Sequence, residues 1–210
     1  NLEIYTSNKN LVKNDIKYLK NKKKFISRLS SFKKKFDFII CVYWPWLIPK
    51  ELFNKFYNSI NFHPSLLPIG RGWYPHVHAL IKNLKWGVTL HKISNGIDNG
   101  KIWCQKEIKF HKLSSASELY EVAKYEIIKL FNKNIISIIY GKIIPIKQKG
   151  KVYNFKKRSV KKFDKLFLNK NYKLIDLIKI SNSRSFKNIS YNYFYLNKKK
   201  YSFKILIKKL

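Results

Sequence analysis

The chain has 210 residues, enough to bury a core in one domain with a small appendage, and it carries a formal charge of +34 at pH 7. At 45% hydrophobic and 16% aromatic residues it is too apolar for a disordered polyelectrolyte, and no apolar run nears the roughly 20 residues that span a bilayer. The basic residues are spread along the chain, and Lys, Asn, Ile, Phe and Tyr are abundant together while Met is absent, which points to an AT-rich coding bias and not to a nucleic-acid stripe.

In chain order, residues 9–34 carry Leu11, Ile16, Leu19, Ile26 and Leu29 among lysines, a ragged period that predicts a helix. "FDFIICVYWPW" (36–46), free of lysine, reads as a buried strand ended by Pro45. "SINFH" (59–63) reads as a second strand, stopped by Pro64. Pro75 suits the first turn of a helix over "PHVHALIKN". "WGVTLHKI" (86–93) alternates as a strand with Val88 and Leu90 on one face. The turn-rich "NGIDNG" (95–100) separates it from the strand "KIWCQKEIKF" (101–110). Ser115 with Glu118 forms a capping box that opens a helix running to about Tyr140.

Strands alternating with helices predict an α/β core with a mainly parallel sheet over residues 1–141. Residues 142–210 read as a linker ("GKVYNFKKR"), a short helix ("NYKLIDLIKI") and a β-hairpin of two aromatic strands ("YNYFYLNKKKYSFKILI"). No secretory signal pattern opens the chain. Cys41 and Cys104 lie in apolar surroundings, as buried thiols do in a reducing compartment, so a cytoplasmic location is expected.

One window breaks the composition. No lysine occurs between Lys55 and Lys82, and the same window holds three of the five His and three of the six Pro. In a strand, residues two apart share a face, so Asn61 and His63 project together at the strand end. An amide donor beside an imidazole can stabilise an oxyanion and move a proton. Asp98, one of five Asp, lies between Gly96 and Gly100 just after a strand, where a tight turn can bring a carboxylate back over the strand end. A carboxylate that accepts from an imidazole N–H orients the ring and favours its charged form. His76 and His78, two apart on the expected helix, do not share a face, so no metal site is expected. His91, at a strand end, reads as structural.

The order and spacing of "NFHPSLLP", "GVTLH" and "IDNGKIWCQ" resemble the 10-formyltetrahydrofolate-dependent formyltransferase family over roughly residues 36–110. The resemblance implies a Rossmann-like core, with "LEIYTSN" as its second strand and the first strand and helix missing. It implies catalysis by Asn61, His63 and Asp98. A substrate amine would attack the formyl carbon of 10-formyltetrahydrofolate, Asn61 and protonated His63 would steady the oxyanion, and Asp98 would hold the imidazole. It also makes Cys41, Val42, Tyr43, Trp44, Leu47 and Ile97 the pterin-binding wall, with no metal.

"GRGWYPHVHALI" and the ending "SYNYFYLNKKKYSFKI" are similar to the substrate loop and C-terminal hairpin of sugar N-formyltransferases. This assigns Arg71, Gly72, Trp73, Tyr74 and Pro75 to a nucleotide-sugar substrate, with a dTDP-4-amino-4,6-dideoxyhexose as the expected acceptor. It also implies a role in lipopolysaccharide O-antigen biosynthesis and a homodimer through the C-terminal region, with no specific nucleic acid and no membrane partner. Methionyl-tRNA or glycinamide ribonucleotide formyltransferase, and formyltetrahydrofolate hydrolase, remain the alternatives that use the same trio. A basic polyanion-binding protein without catalysis is the alternative of a different class.

Overall fold

The computed structural model describes residues 3–11, 16–33 and 36–208. The first part comprises β1 (Ile4–Thr6), a 3-10 turn (Lys9–Leu11), β2 (Ile16–Tyr18) and α1 (Lys22–Ser30). The single helix expected over residues 9–34 is therefore replaced by three short elements, and residues 12–15 and 34 of it lie outside the described residues. Asn21 sets where the helix begins. Its side chain accepts a hydrogen bond from the Lys24 amide, satisfying a first-turn donor that the helix itself leaves unpaired. Ahead of that cap, β2 pairs in parallel with β1, and Leu19 is buried with Phe25 and Leu29.

The central elements follow as β3 (Phe36–Val42), α2 (Lys50–Phe53), β4 (Phe56–His63), β5 (Ile69–Gly72), α3 (Pro75–Lys82), β6 (Gly87–His91), β7 (Ile102–Glu107) and α4 (Ala116–Ile139). The main sheet has the order β3-β4-β6-β7, with β3 and β4 parallel and the other two pairs antiparallel. The expected excess of parallel pairing fails in this sheet, and for the β6–β7 pair the reason is simple. Residues 92–101 are too few for the crossover that a parallel β6–β7 pair needs, so the chain turns straight back. α4 begins with the expected capping box: the Glu118 amide donates to Ser115 Oγ at 3.2 Å, and the Ser115 amide donates to the Glu118 carboxylate at 2.8 Å.

Both faces of the sheet are covered. Ile60 and Phe62 of β4 and Val88 and Leu90 of β6 pack against Leu119, Ala123 and Ile127 of α4. On the other side Cys41 of β3 joins Phe25, Leu29 and Leu52 in a second cluster. Because β4 alternates, Asn61 and His63 face away from the α4 core. β3 is less buried than its composition predicts: it is the edge of the described sheet, and Ile40 and Val42 are 45% and 53% exposed.

The C-terminal part comprises β8 (Tyr153–Phe155), a 3-10 segment (Lys157–Phe163), α5 (Leu174–Ser183), β9 (Ser185–Phe186), β10 (Ile189–Ser190), β11 (Tyr193–Leu196) and β12 (Lys199–Ser202). The stretch expected as a linker instead holds β8, which pairs in parallel with β5 and buries Phe155 against the His78 ring at 3.8 Å. Three residues are too few to show a sheet period in sequence. The expected aromatic hairpin is β11–β12, closed by Asn197 and Lys198 at φ 47° and 63°, the left-handed pair of a two-residue turn. No helix among the described residues is long and apolar enough to cross a membrane.

The lysine-free window has a plain cause. Between residues 56 and 81 only Tyr57, Trp73 and Tyr74 are exposed, so almost no free surface is available for lysine.

Candidate active site

β4 delivers Asn61 and His63, and the β6–β7 turn returns Asp98 over the end of that strand. The return is tight. A Cβ on Gly100 would lie 1.7 Å from the Lys92 carbonyl oxygen, so only glycine fits there. Asp98 itself sits at φ 47°, a left-handed conformation unusual for a non-glycine residue. Its carboxylate collects four contacts. The Gly72 amide donates to Oδ2 at 2.8 Å, and Asn61 Nδ2 donates to Oδ1 at 3.4 Å. His63 Nδ1 lies 3.5 Å from Oδ2, and His91 Nε2 lies 3.6 Å from Oδ1.

His91, expected as a structural residue, belongs to the cluster. Its Nδ1 lies 2.8 Å from the Lys92 carbonyl, which can only accept, so Nδ1 carries the proton. The lone pair on Nε2 then accepts from Asn61 Nδ2 at 3.0 Å and fixes that amide's orientation. The same argument applies to His63. Its Nε2 donates to the Gly70 carbonyl at 2.8 Å, which leaves Nδ1 as the basic nitrogen facing Asp98.

Burial pushes the His63 pKa down, with Asp98 opposing that shift. Burial would raise Asp98, but the charge that His63 carries when protonated, together with the Gly72 amide, holds its carboxyl well below the usual range. Asp98 is thus the standing charge of the cluster. Burial works against a charge on His63, and a proton taken at Nδ1 lands against the carboxylate.

These groups open into a cavity of about 920 Å³. Of the residues expected at a pterin-binding wall, Cys41, Tyr43, Trp44, Leu47 and Ile97 line it, and Val42 does not. Of those expected to meet a substrate, Gly72, Trp73, Tyr74 and Pro75 line it, and Arg71 does not. The Arg71 guanidinium instead donates from Nε and Nη2 to Gln148 Oε1, at 3.0 and 2.7 Å.

Lys22 of α1 lines the cavity, and its other cations come from the C-terminal part. Lys157 lies 4.8 Å over the Trp73 ring, Lys161 follows on the same segment, and Arg184 is anchored on Asp164. Arg184, one of four arginines, was the nearest thing to a sequence signal for this group.

Three buried polar atoms of cavity residues have no partner among the described residues: Tyr43 OH, Trp44 Nε1 and His76 Nδ1. Burial pushes His76 down to about 4, so its ring is neutral at pH 7. Burial pushes the Cys41 thiol up to about 12, which leaves it a packing group and not a nucleophile. Among the described residues, no group of three or more His, Cys, Asp or Glu is placed to hold a metal ion.

Residues 9–145 match the family model described as Formyl transferase. The chain belongs to the formyl transferase family. As expected from its motif order, this family chain is similar to enzymes with different acceptors in their names. It is 32% identical over 137 residues to methionyl-tRNA formyltransferase of Clostridium botulinum, covering 64% of this chain and 44% of that protein. It is 29% identical over 93 residues to dTDP-4-amino-4,6-dideoxyglucose formyltransferase of Mycobacterium bovis, covering 44% and 39%. The chain thus spans less than half the length of these two relatives. Among solved structures, the formyltransferase PseJ from Anoxybacillus kamchatkensis superposes with a TM-score of 0.62 at 28% identity, over 70% of this chain and 77% of that one. PseJ was solved with UDP-4,6-dideoxy-4-formamido-L-AltNAc and tetrahydrofolate.

Proposed function

We propose that this family member transfers a formyl group to the amine of a nucleotide-linked 4-amino sugar, with a dTDP-4-amino-4,6-dideoxyhexose as acceptor. The observation that carries the proposal is the convergence of Asn61, His63 and His91 on the Asp98 carboxylate at the edge of a large, partly apolar cavity. 10-Formyltetrahydrofolate, when bound, supplies the formyl carbon. A flat heteroaromatic donor fits the cavity wall: Cys41, Leu47 and Ile97 offer apolar contact, and the unpartnered Trp44 Nε1 and Tyr43 OH offer hydrogen bonds.

His63 Nδ1 accepts the proton released as the acceptor amine forms its new C–N bond. The imidazolium that results is stabilised by Asp98, ionised throughout, and the proton is passed on as the old C–N bond breaks. The Asn61 hydrogen that makes only the long 3.4 Å contact with Asp98 turns to the developing oxyanion, while the 3.0 Å bond to His91 keeps the amide in orientation. Trp73 and Tyr74 supply flat faces for a nucleobase, and Lys157, Lys161 and Arg184 supply charge for a pyrophosphate. A cytoplasmic location, a role in lipopolysaccharide O-antigen biosynthesis and pairing of two subunits through the C-terminal hairpin belong to the same reading.

The second reading, transfer to methionyl-tRNA, is favoured by the 32% identity to the Clostridium botulinum enzyme. Incubation with 10-formyltetrahydrofolate and either dTDP-4-amino-4,6-dideoxyglucose or methionyl-tRNA separates the two. Formamido-sugar formation supports the proposal. Formylation of the tRNA alone, or formate release without any acceptor, overturns it.

A further inference from the structure

Gln148 lies outside the motifs that carry the family resemblance and does not line the cavity, yet its side chain ties two site loops together. Its Nε2 donates to the carbonyl oxygens of Asp98 and Gly100, both at 2.8 Å. Its Oε1 accepts from Nε and Nη2 of Arg71 at 3.0 and 2.7 Å. The amide orientation is fixed by chemistry: a guanidinium only donates and a carbonyl only accepts, so Oε1 must face Arg71 and Nε2 must face the turn. Two donors and two lone pairs are all used. One side chain therefore links the β5 loop, which carries Gly72, to the turn that holds Asp98 in a left-handed conformation.

We propose that Gln148 is a positioning residue that holds the Asp98 carboxylate against His63, and that Arg71 acts by orienting the Gln148 amide. The inference rests on the catalytic reading of Asn61, His63 and Asp98 given above. Asp98 is placed from both ends: its carboxylate by the Gly72 amide, its backbone by Gln148. Losing the backbone tie frees a strained residue to relax, and the carboxylate moves with it. His63 reports that movement. It is faced by Asp98 from the turn, by His91 from β6 and by the Gly70 carbonyl from β5, and of these only Asp98 favours its charged form through an opposite charge.

The test compares Gln148→Glu, Gln148→Met and Arg71→Met in the full chain. Gln148→Glu keeps an acceptor for Arg71 but turns an oxygen toward two carbonyls. Gln148→Met removes both sets of contacts at similar size. Two readouts are needed: kcat and KM with 10-formyltetrahydrofolate and dTDP-4-amino-4,6-dideoxyglucose, and the His63 ring titration by NMR without ligands. Both Gln148 variants are expected to lose roughly tenfold or more in kcat with KM nearly unchanged, and their His63 midpoint to fall by about one pH unit as Asp98 withdraws. Arg71→Met should show a smaller effect of the same kind.

A folded Gln148→Met protein with the wild-type His63 titration overturns the positioning role, whatever its activity. Asp98→Asn separates this from the catalytic reading. If Asp98→Asn abolishes turnover while Gln148→Glu does not, only the positioning role falls. If Asp98→Asn turns over normally, the catalytic reading falls, and the NMR titration still decides whether Gln148 places Asp98.

Discussion

At the end of β4 the polar groups of Asn61, His63, His91 and Asp98 are paired with one another or with backbone amide and carbonyl groups, whereas along the cavity walls Tyr43 OH, Trp44 Nε1 and His76 Nδ1 have no partner among the described residues. Both regions are buried, and leaving a buried polar group unpaired costs about 1–3 kcal/mol. Along the cavity walls a bound ligand can supply that partner. The difference separates groups set for chemistry, which must be oriented before the substrate arrives, from groups set for binding, which complete their hydrogen bonds only when it does.

The sharpest way to break the comparison is to disable the paired end. His63→Ala removes the proton acceptor, and Asn61→Ala removes the amide. Each is expected to lower kcat by about a thousandfold, ~4 kcal/mol of barrier, within the range for general acid–base and oxyanion groups. Steady-state assays check this, and a loss confined to KM would move these residues from chemistry to binding.

The next effect belongs to the walls. His76 has a folded pKa of about 4 against an ordinary 6.5, because burial disfavours its charged form. Between those values the unfolded chain binds the proton and the folded chain does not. Its contribution to stability is therefore fully present above pH 6.5 and lost as pH falls through 4, on the order of 3 kcal/mol in all. Denaturant melts at pH 7 and pH 4 should show His76→Phe losing less stability on acidification than the parent. Equal losses in both proteins would mean that the ring is already solvated in the folded state.

The paired end was the more legible in sequence, and only in part. Asn61 and His63 follow from the two-residue period of a strand, and Asp98 from a glycine-flanked turn. His91 did not, because its role comes from lying opposite Asn61 in the β4–β6 register, which no local pattern encodes. Gln148 did not, because it works from a loop 50 residues away from Asp98 in sequence. The fold divides in the same way. The capping box at Ser115 and the hairpin ending in Asn197 and Lys198 are local devices and were read correctly. The helix expected over residues 9–34 was not, since apolar residues three to seven apart serve equally well in a strand, a turn and a capped helix. β8 leaves no local signal because it exists through its pairing with β5.

The smallest expected effect sharpens the binding side. Lys157 and Lys161 are exposed on the 3-10 segment, and in water each cation attracts a pyrophosphate only modestly and through screening salt. Changing both to alanine should raise KM for the nucleotide sugar about tenfold, ~1.4 kcal/mol, with kcat and the KM for the folate donor unchanged. Lys157 lies over the Trp73 ring, so its removal also frees that ring, and Lys157→Gln keeps the stem while deleting the charge. If Lys157→Gln matches its alanine counterpart, charge is what the acceptor meets. If it behaves as the parent, the lysine serves to hold Trp73, and the pyrophosphate is left to the better-anchored Arg184. Raising the salt concentration distinguishes the two independently, since only a direct charge contact weakens with ionic strength and loses that dependence in the double variant.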